Sequence, residues 1–535
     1  MKPYVWITGV LFAIAFLPEQ AFGKEVVLER AGTLQDHFTP DEIKNTTFLT
    51  LKGNIDIQDF QFLWSLPVLT ELDISKIRIT AKNGSPENTI PTSAFWGKKT
   101  LQKVLLPSTL TAIANYAFYG CTGLSSIDFP PSLTSMGAGA FSLCDSLKTI
   151  DFTGCPLLKR IGERAFTGCS SLQRIILPVN LKKIENRLFK NCTRLESVVI
   201  PDSLTLIENE AFDGCGSLRE IRFPATLAAI GNEAFESCSN LSSVTFPSGL
   251  KSIGNAAFGN CTSLQEIFLP ASVTDLSPSA FRSCTVLTAI TVDTGNAAFK
   301  SNDGIVYKDE GKTLYIYPCG KKGDFTLPLS VTNVQQEVFY RCIFLDAIHT
   351  DDRHPLYKSN NGVLFSKDGR TLLDYPRGRK GIYQLPATVR QIGSSAFSGS
   401  DCLTGIEIPQ ETGLQKIGER AFYNCPELTK MDLGTAFRLT EIGSSAFGDC
   451  GSLNTVVFPA TLQLLRNNAF HRCTALQNIE FLGKTPPACG NGVFENIGTE
   501  CNITVPEGAG KEYGEIYCFR DRYDIKEIPL PSDTE

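Results

Sequence analysis

Residues 121–141 decide the reading: Cys121-x-x-Leu124-x-x-Ile127-x-Phe129-Pro130-x-x-Leu133-x-x-Met136-Gly137-x-x-Ala140-Phe141. Ile127 and Phe129 stand two apart, the spacing that places both on one face of an extended strand, and Pro130 ends the strand because it has no N–H for another rung. Leu133 and Met136 return the chain across the same core. Gly137 suits a turn, and Ala140-Phe141 opens a brief helical or irregular segment that buries its ring on the opposite wall. A single turn of this kind cannot bury its own apolar face, so the pattern demands stacked neighbours.

Neighbours are present on both sides. The Ala-Phe pair recurs from Ala94-Phe95 to Ala280-Phe281, then as Val338-Phe339, from Ala396-Phe397 to Ala469-Phe470, and weakly as Val493-Phe494. The step is mostly 23 residues, sometimes 25, and twice 58, where a 35-residue island is added to the standard step. A fixed period sustained over this many copies marks a solenoid. Frequent turns agree with it, since the 535 residues include 44 Gly and 29 Pro.

The repeated unit Leu-x-x-Ile-x-Phe-Pro-x-x-Leu-x-x-Ile-Gly-x-x-Ala-Phe-x-x-Cys resembles the BspA-like leucine-rich repeats of secreted and surface proteins in Bacteroides, related bacteria and some parasitic protists. The resemblance covers roughly residues 91–484. It implies a repeat solenoid, a right-handed leucine-rich-repeat superhelix with a parallel β-sheet on one face, short helical or irregular segments on the other, and two inserted β-hairpin islands. It also implies an adhesin-type role, because characterised members bind host matrix proteins or other bacteria.

The expected organisation is a signal peptide over 1–23, an N-terminal cap over 24–90, repeats over 91–484 with islands at about 293–328 and 351–386, and a C-terminal cap over 485–535. Lys2, the apolar run from Val5 to Leu17 and the small-x-small site Ala21-Phe22-Gly23 carry the export reading, hence a secreted or cell-surface location. No segment of the mature chain approaches the roughly 20 apolar residues of a membrane span. The net charge of −6 argues against nucleic acid as a partner and leaves an extracellular protein or glycan, host matrix included.

Twelve of the 18 cysteines fall three residues after the repeat Phe, from Cys121 to Cys473. Such a ladder reads as buried thiols serving as small apolar residues, or as a chain of disulfides or metal ligands; converging spacings such as C-x₂-C are missing, which favours the first. Cys489, Cys501 and Cys518 stand off this phase in the C-terminal cap, where a disulfide of Cys489 with Cys501 is one candidate and free thiols the alternative. His349 and His354, with Asp351 and Asp352 between them, read as a polar loop, with a metal site as the alternative. Neither a phosphate loop nor a nucleophile elbow nor a zinc-protease signature occurs, so no catalytic, cofactor or metal residue is assigned.

Ligand contacts are sought in two places. The residue between the two inward apolar positions of each strand points outward, and its column reads Ile176, Val199, Arg222, Thr245 and Phe268 at the centre of the array. This stripe is either a contact surface or a set of residues that simply pair well between strands. The islands contain Asn302-Asp303-Gly304 and Asn360-Asn361-Gly362, hairpin signals that predict two projecting hairpins. Their basic ends, Lys321 with Lys322 and Arg377 with Arg379 and Lys380, read as contacts for an acidic partner or as solvated tips. The sequence thus predicts a binding protein, with a passive spacer as the alternative; a compact polar pocket of mixed chemistry would instead point to an enzyme.

Overall fold

The computed structural model describes residues 22–498, 500–516, 518–519 and 524–529, so the expected signal peptide over 1–23 lies outside the described residues apart from Phe22 and Gly23. The chain forms two compact units, Met1–Leu172 and Gln173–Glu535. Both are stacks of coils joined by parallel strands.

In the first unit one sheet runs Phe22–Leu28, Thr46–Ile55, Glu71–Ile79, Lys103–Leu105 and Ser126–Ile127 in that order. Its register aligns Leu49, Leu72, Val104 and Ile127, all buried, so the segment ahead of the repeats supplies the first rungs of their sheet. The second apolar pair of each repeat builds another parallel sheet from two-residue strands, with Ile90, Ile113, Met136 and Ile161 in register. A third wall is the Ala-Phe turn, where Phe95, Phe118 and Phe141 stack at centroid separations of 5.1 and 5.0 Å. This wall is irregular, yet its backbone also bonds between coils: the Phe118 amide donates to the Ala140 carbonyl at 2.8 Å.

Gly137 is needed for a different reason from the one its turn position predicts. Its φ is not in the left-handed region, which falls instead at Gly139 and, in neighbouring coils, at Tyr116 and Arg164. A Cβ at Gly137 would meet the Asn115 amide nitrogen at 2.5 Å, so glycine here admits the preceding coil's backbone.

The second unit repeats the three walls. Its Phe stack runs through Phe189, Phe212, Phe235, Phe258 and Phe281 at 5.0–5.6 Å. It resumes from Phe397 to Phe470 at 4.8–4.9 Å. Asparagine side chains couple successive coils: Asn209 Oδ1 accepts from the Asn232 amide, and Asn232 Oδ1 from the Asn255 amide, each at 2.8 Å.

The islands depart from the expected projecting hairpins. Each has three antiparallel strands, Phe299–Asn302, Ile305–Lys308 and Thr313–Ile316 in the first, Tyr357–Asn360, Val363–Ser366 and Thr371–Asp374 in the second. The third strand then pairs in parallel with the two-residue strand that follows, Asn333–Val334 or Gln391–Ile392. The Asp303-Gly304 and Asn361-Gly362 turns have the positive φ values the sequence signalled. They lie against the array, with the Gly304 and Gly362 carbonyls accepting from the Ile290 and Ile348 amides at 2.8 Å. Tyr375 packs at a tilt on Phe397 at 4.8 Å and donates its amide to the Ala396 carbonyl, as a repeat Phe does to the Ala of the next coil. Tyr317 packs on Phe339 at 5.1 Å. Each island is therefore a coil in its own right, with Tyr in the ring position and a hairpin in place of the usual strand.

At the C-terminal end, Tyr513 of the helix Gly510–Glu515 and Phe519 pack on Phe481 at 5.0 and 5.3 Å. The disulfide joins Cys489 to Cys518, with Cα atoms 6.2 Å apart, and not to Cys501. Cys501 precedes the strand Asn502–Pro506 and is a buried thiol, whereas Cys489 lies on the two-residue-strand wall.

Candidate functional site

The ladder cysteines are thiols, and most have a bond that apolar packing alone does not predict. Cys121 Sγ donates to the Phe95 carbonyl at 3.1 Å, and the Sγ atoms of Cys238, Cys261 and Cys473 donate to the carbonyl of the Phe one coil earlier at 3.3, 3.2 and 3.0 Å. Burial pushes the Cys121 and Cys169 thiols up to about 12 and raises those of Cys144, Cys215, Cys238, Cys261 and Cys284, so these thiols stay protonated at neutral pH. No cluster of three or more His, Cys, Asp or Glu that could hold a metal occurs among the described residues. His354 is buried and its Nδ1 accepts from the Tyr357 amide at 3.2 Å, while His349 Nε2 meets Asp324 at 2.9 Å. Asp351 is occupied by Arg353, whose guanidinium holds that carboxyl well below the usual range. The four polar residues of this loop therefore do not converge.

The outward column is where the strand alternation predicts it. Ile176 pairs with Val199, Arg222 with Thr245, and Phe268 with Thr291 along the parallel ladder. Val199 is 43% and Phe268 52% exposed, Arg222 and Thr245 are exposed, and Ile176 is partly so. These residues stand on the outward side of three successive short parallel sheets, Ile176 and Val199 on the first, Arg222 and Thr245 on the second and Phe268 on the third, so two apolar patches flank a cation and a hydroxyl.

The basic island residues are not brought together. Arg377, expected at an exposed tip, is fully buried: it pairs with Asp374 and donates to the carbonyls of Tyr375, Ser395, Ala396 and Ser398. It serves the turn at 395–398, whose carbonyls face it, and has nothing left for a partner. Lys321 is engaged by Asp303 at 2.9 Å, Lys322 lies over the Phe344 ring at 5.4 Å, Arg379 is partly buried and Lys380 is exposed.

Two clefts were not legible in the motifs. One, of about 680 Å³, opens beside the first island and is polar and chemically mixed. Its arginines are neutralised in place: Arg282 by Glu236 at 2.8 Å, Arg341 by Asp401 at 3.2 Å and Arg420 by Glu337 at 3.2 Å. Tyr340 accepts from Asn424 Nδ2 at 2.9 Å, and burial raises its phenol. The lining has no histidine, and its ionisable side chains besides the arginines include Glu337, Tyr340 and Cys319.

The other cleft, of about 340 Å³, lies in the first unit between the helix Ile57–Ser65 and residues 91–96. Trp64 and Trp96 line it at 55% and 45% exposure. The signal that finds it is the residue after the first repeat Phe, the exposed Trp96, at a position that is buried in some other coils, as at Ser142 and Ser398.

Comparison with known proteins follows the repeat. The BspA type leucine rich repeat region matches residues 88–219, 205–303, 382–485 and 440–535. The chain belongs to the BspA-type leucine-rich-repeat family. Among solved structures, this BspA-type chain is similar to a leucine-rich cell surface protein of Faecalibacterium prausnitzii at 24% identity, over 77% of this chain and 88% of that one, with a TM-score of 0.42. A leucine-rich repeat protein of Bacteroides ovatus is 20% identical over 86% of this chain and 92% of that one, TM-score 0.31. The pneumococcal vaccine antigen PcpA is 18% identical over 86% and 89%, TM-score 0.29. No curated protein sequence matches the chain. No helix among the described residues is long and apolar enough to cross a membrane.

Proposed function

We propose that this BspA-type chain is a secreted or cell-surface binding protein of the adhesin kind, recognising a host or bacterial protein or glycan through its outward strand column. The observation that carries the reading is the outward stripe Ile176, Val199, Arg222, Thr245 and Phe268, in which large, partly to well exposed apolar side chains stand on three successive short parallel sheets. Exposed apolar groups fixed on regular strands contribute to binding with little loss of side-chain freedom, since the sheet has already ordered them. The arrangement supplies recognition and no reacting group.

The test is a binding screen of the chain against matrix proteins, mucins and glycans at two salt concentrations, followed by Ile176→Ser, Val199→Ser and Phe268→Ser together. A saturable ligand whose affinity survives salt and drops in the triple variant supports the column. Unchanged affinity in a folded triple variant sinks it, and binding abolished by salt moves the contact to Lys322 and Lys380.

A further inference from the structure

The two tryptophans beyond the export segment, Trp64 and Trp96, line the same cleft. Ile57, Gln61 and Trp64 share one face of the helix Ile57–Ser65, being four and three residues apart, and Trp96 faces them from the turn that follows Thr89–Ile90. Trp96 is stacked on Tyr119 at 4.3 Å, one coil on, and Tyr116 closes the group at 5.5 Å from Trp96. Trp64 donates its indole N–H to the Trp96 carbonyl at 2.8 Å, and Lys98 Nζ donates to the Trp64 and Leu66 carbonyls at 3.0 and 2.5 Å. These contacts set the platform before any ligand arrives.

The chemistry of the walls narrows the ligand. The lining consists of Ile57, Phe60, Pro91, Ala94 and the two tryptophans, with Gln61, Thr92 and Ser93 as its polar members, and contains no charged side chain. With its N–H spent inside the protein, the Trp64 indole presents its face alone. Among the described residues no hydrogen bond engages the side chains of Gln61, Thr92 or Ser93. An amide and two hydroxyls each donate and accept, which matches hydroxyl groups; a proline-rich peptide offers carbonyl acceptors only and would leave half of that capacity unused. A neutral ring with an apolar C–H face and a hydroxyl rim fits both features.

We infer that the cleft between Trp64 and Trp96 is a carbohydrate site that takes a neutral pyranose ring against the indole faces, with Gln61, Thr92 and Ser93 reading its hydroxyls. The site is independent of the strand column, so failure of either leaves the other standing.

The test is intrinsic tryptophan fluorescence of the chain from residue 24 onward, titrated with cellobiose, lactose and maltose, and with a proline-rich decapeptide and sialyllactose as comparisons. A saturable change with at least one neutral disaccharide is expected, insensitive to salt. It is expected to weaken at least tenfold in Trp96→Ala and in the double variant Gln61→Ala, Ser93→Ala, which leaves the aromatic platform intact, and to persist in Trp64→Phe, which keeps a ring face. Circular dichroism establishes that each variant is folded. No saturable change with any of the three disaccharides overturns the inference, as does saturation by the decapeptide or sialyllactose alone, or sugar binding unaltered in folded Trp96→Ala.

Discussion

Cys319 Sγ lies 3.2 Å from Cys342 Sγ, both buried, at the junction between the first island and the coil that follows it. Cys319 follows its Tyr-Pro pair as Arg377 follows the Tyr-Pro pair of the second island. The two islands thus staple the next turn by different means, a sulfur pair in one and a guanidinium under carbonyls in the other.

That separation places two thiols in reach of each other for oxidation. Incubation with oxidised glutathione is expected to join Cys319 to Cys342, the two thiols losing two hydrogens while the reagent becomes two molecules of glutathione. Non-reducing peptide mapping reads the cross-link. Cys319→Ser is expected to leave Cys342 alkylatable after unfolding, and recovery of both thiols from the oxidised native chain would refute this pairing.

The ladder thiols give stability a downward slope in alkali. Burial raises the folded-state pKa of Cys121, Cys169, Cys238 and Cys261 above the ordinary value of 9, to about 12 for the first two, so at these thiols the unfolded chain loses protons first. Their contribution is full below pH 9 and declines as pH rises from about 9 towards 12. Urea midpoints should therefore fall across that window, and replacing Cys238 and Cys261 by Ala should flatten the fall; equal slopes in both chains would count against it.

Lys98 acts in the opposite sense. Desolvation lowers its ammonium to about 8, and its Nζ has only carbonyl partners among the described residues. Between pH 8 and its ordinary 10.5 the unfolded chain holds the proton more tightly, so this residue's contribution to stability rises with pH through that window. Measured as the difference between the native chain and Lys98→Met at each pH, which cancels the thiols other than the neighbouring Cys121, the native chain should gain on the variant. A constant difference would show that the ammonium is not desolvated.

Phe235 is fully buried between Phe212 and Phe258, at 5.0 and 5.2 Å. Phe235→Ala should cost about 3–5 kcal/mol in chemical denaturation, from lost burial and the cavity left between two rings. A loss under about 1 kcal/mol would mean that the adjacent coils close the gap.

Gly254 tests the tight approach of coils. A Cβ there meets the Asn232 amide nitrogen at 2.7 Å, yet Glu208 occupies the same phase two coils earlier, so the backbone can open. Gly254→Ala is expected to destabilise by about 1–3 kcal/mol, as overpacking does; a neutral thermal shift would show that the coils part freely.

Much of the fold was written in the Ala-Phe period, because each wall of a coil has its own apolar spacing and every coil obeys it. The islands were misread as protrusions because Tyr317 and Tyr375 fill the ring position without an Ala before them, and their hairpin signals say how the chain turns but not what it turns against. Arg377 looked like one more exposed cation because only the packed turn at 395–398 supplies its acceptors. Of the candidate contacts, the strand column follows from alternation alone. The Trp64–Trp96 cleft does not, since its walls are 32 residues apart and one of them is a helix outside the repeat.

The asparagine and phenylalanine stacks have one further consequence. Phe189, Phe212, Phe235 and Phe258 are separated by the same 23 residues, and Asn186, Asn209, Asn232 and Asn255 keep the same step. What a coil offers to its successor is therefore what it received from its predecessor. Excision of residues 212–234 would bring Ala211 before Phe235 and restore the same pairings, so within this run the contacts between coils carry no record of how many coils stand on either side.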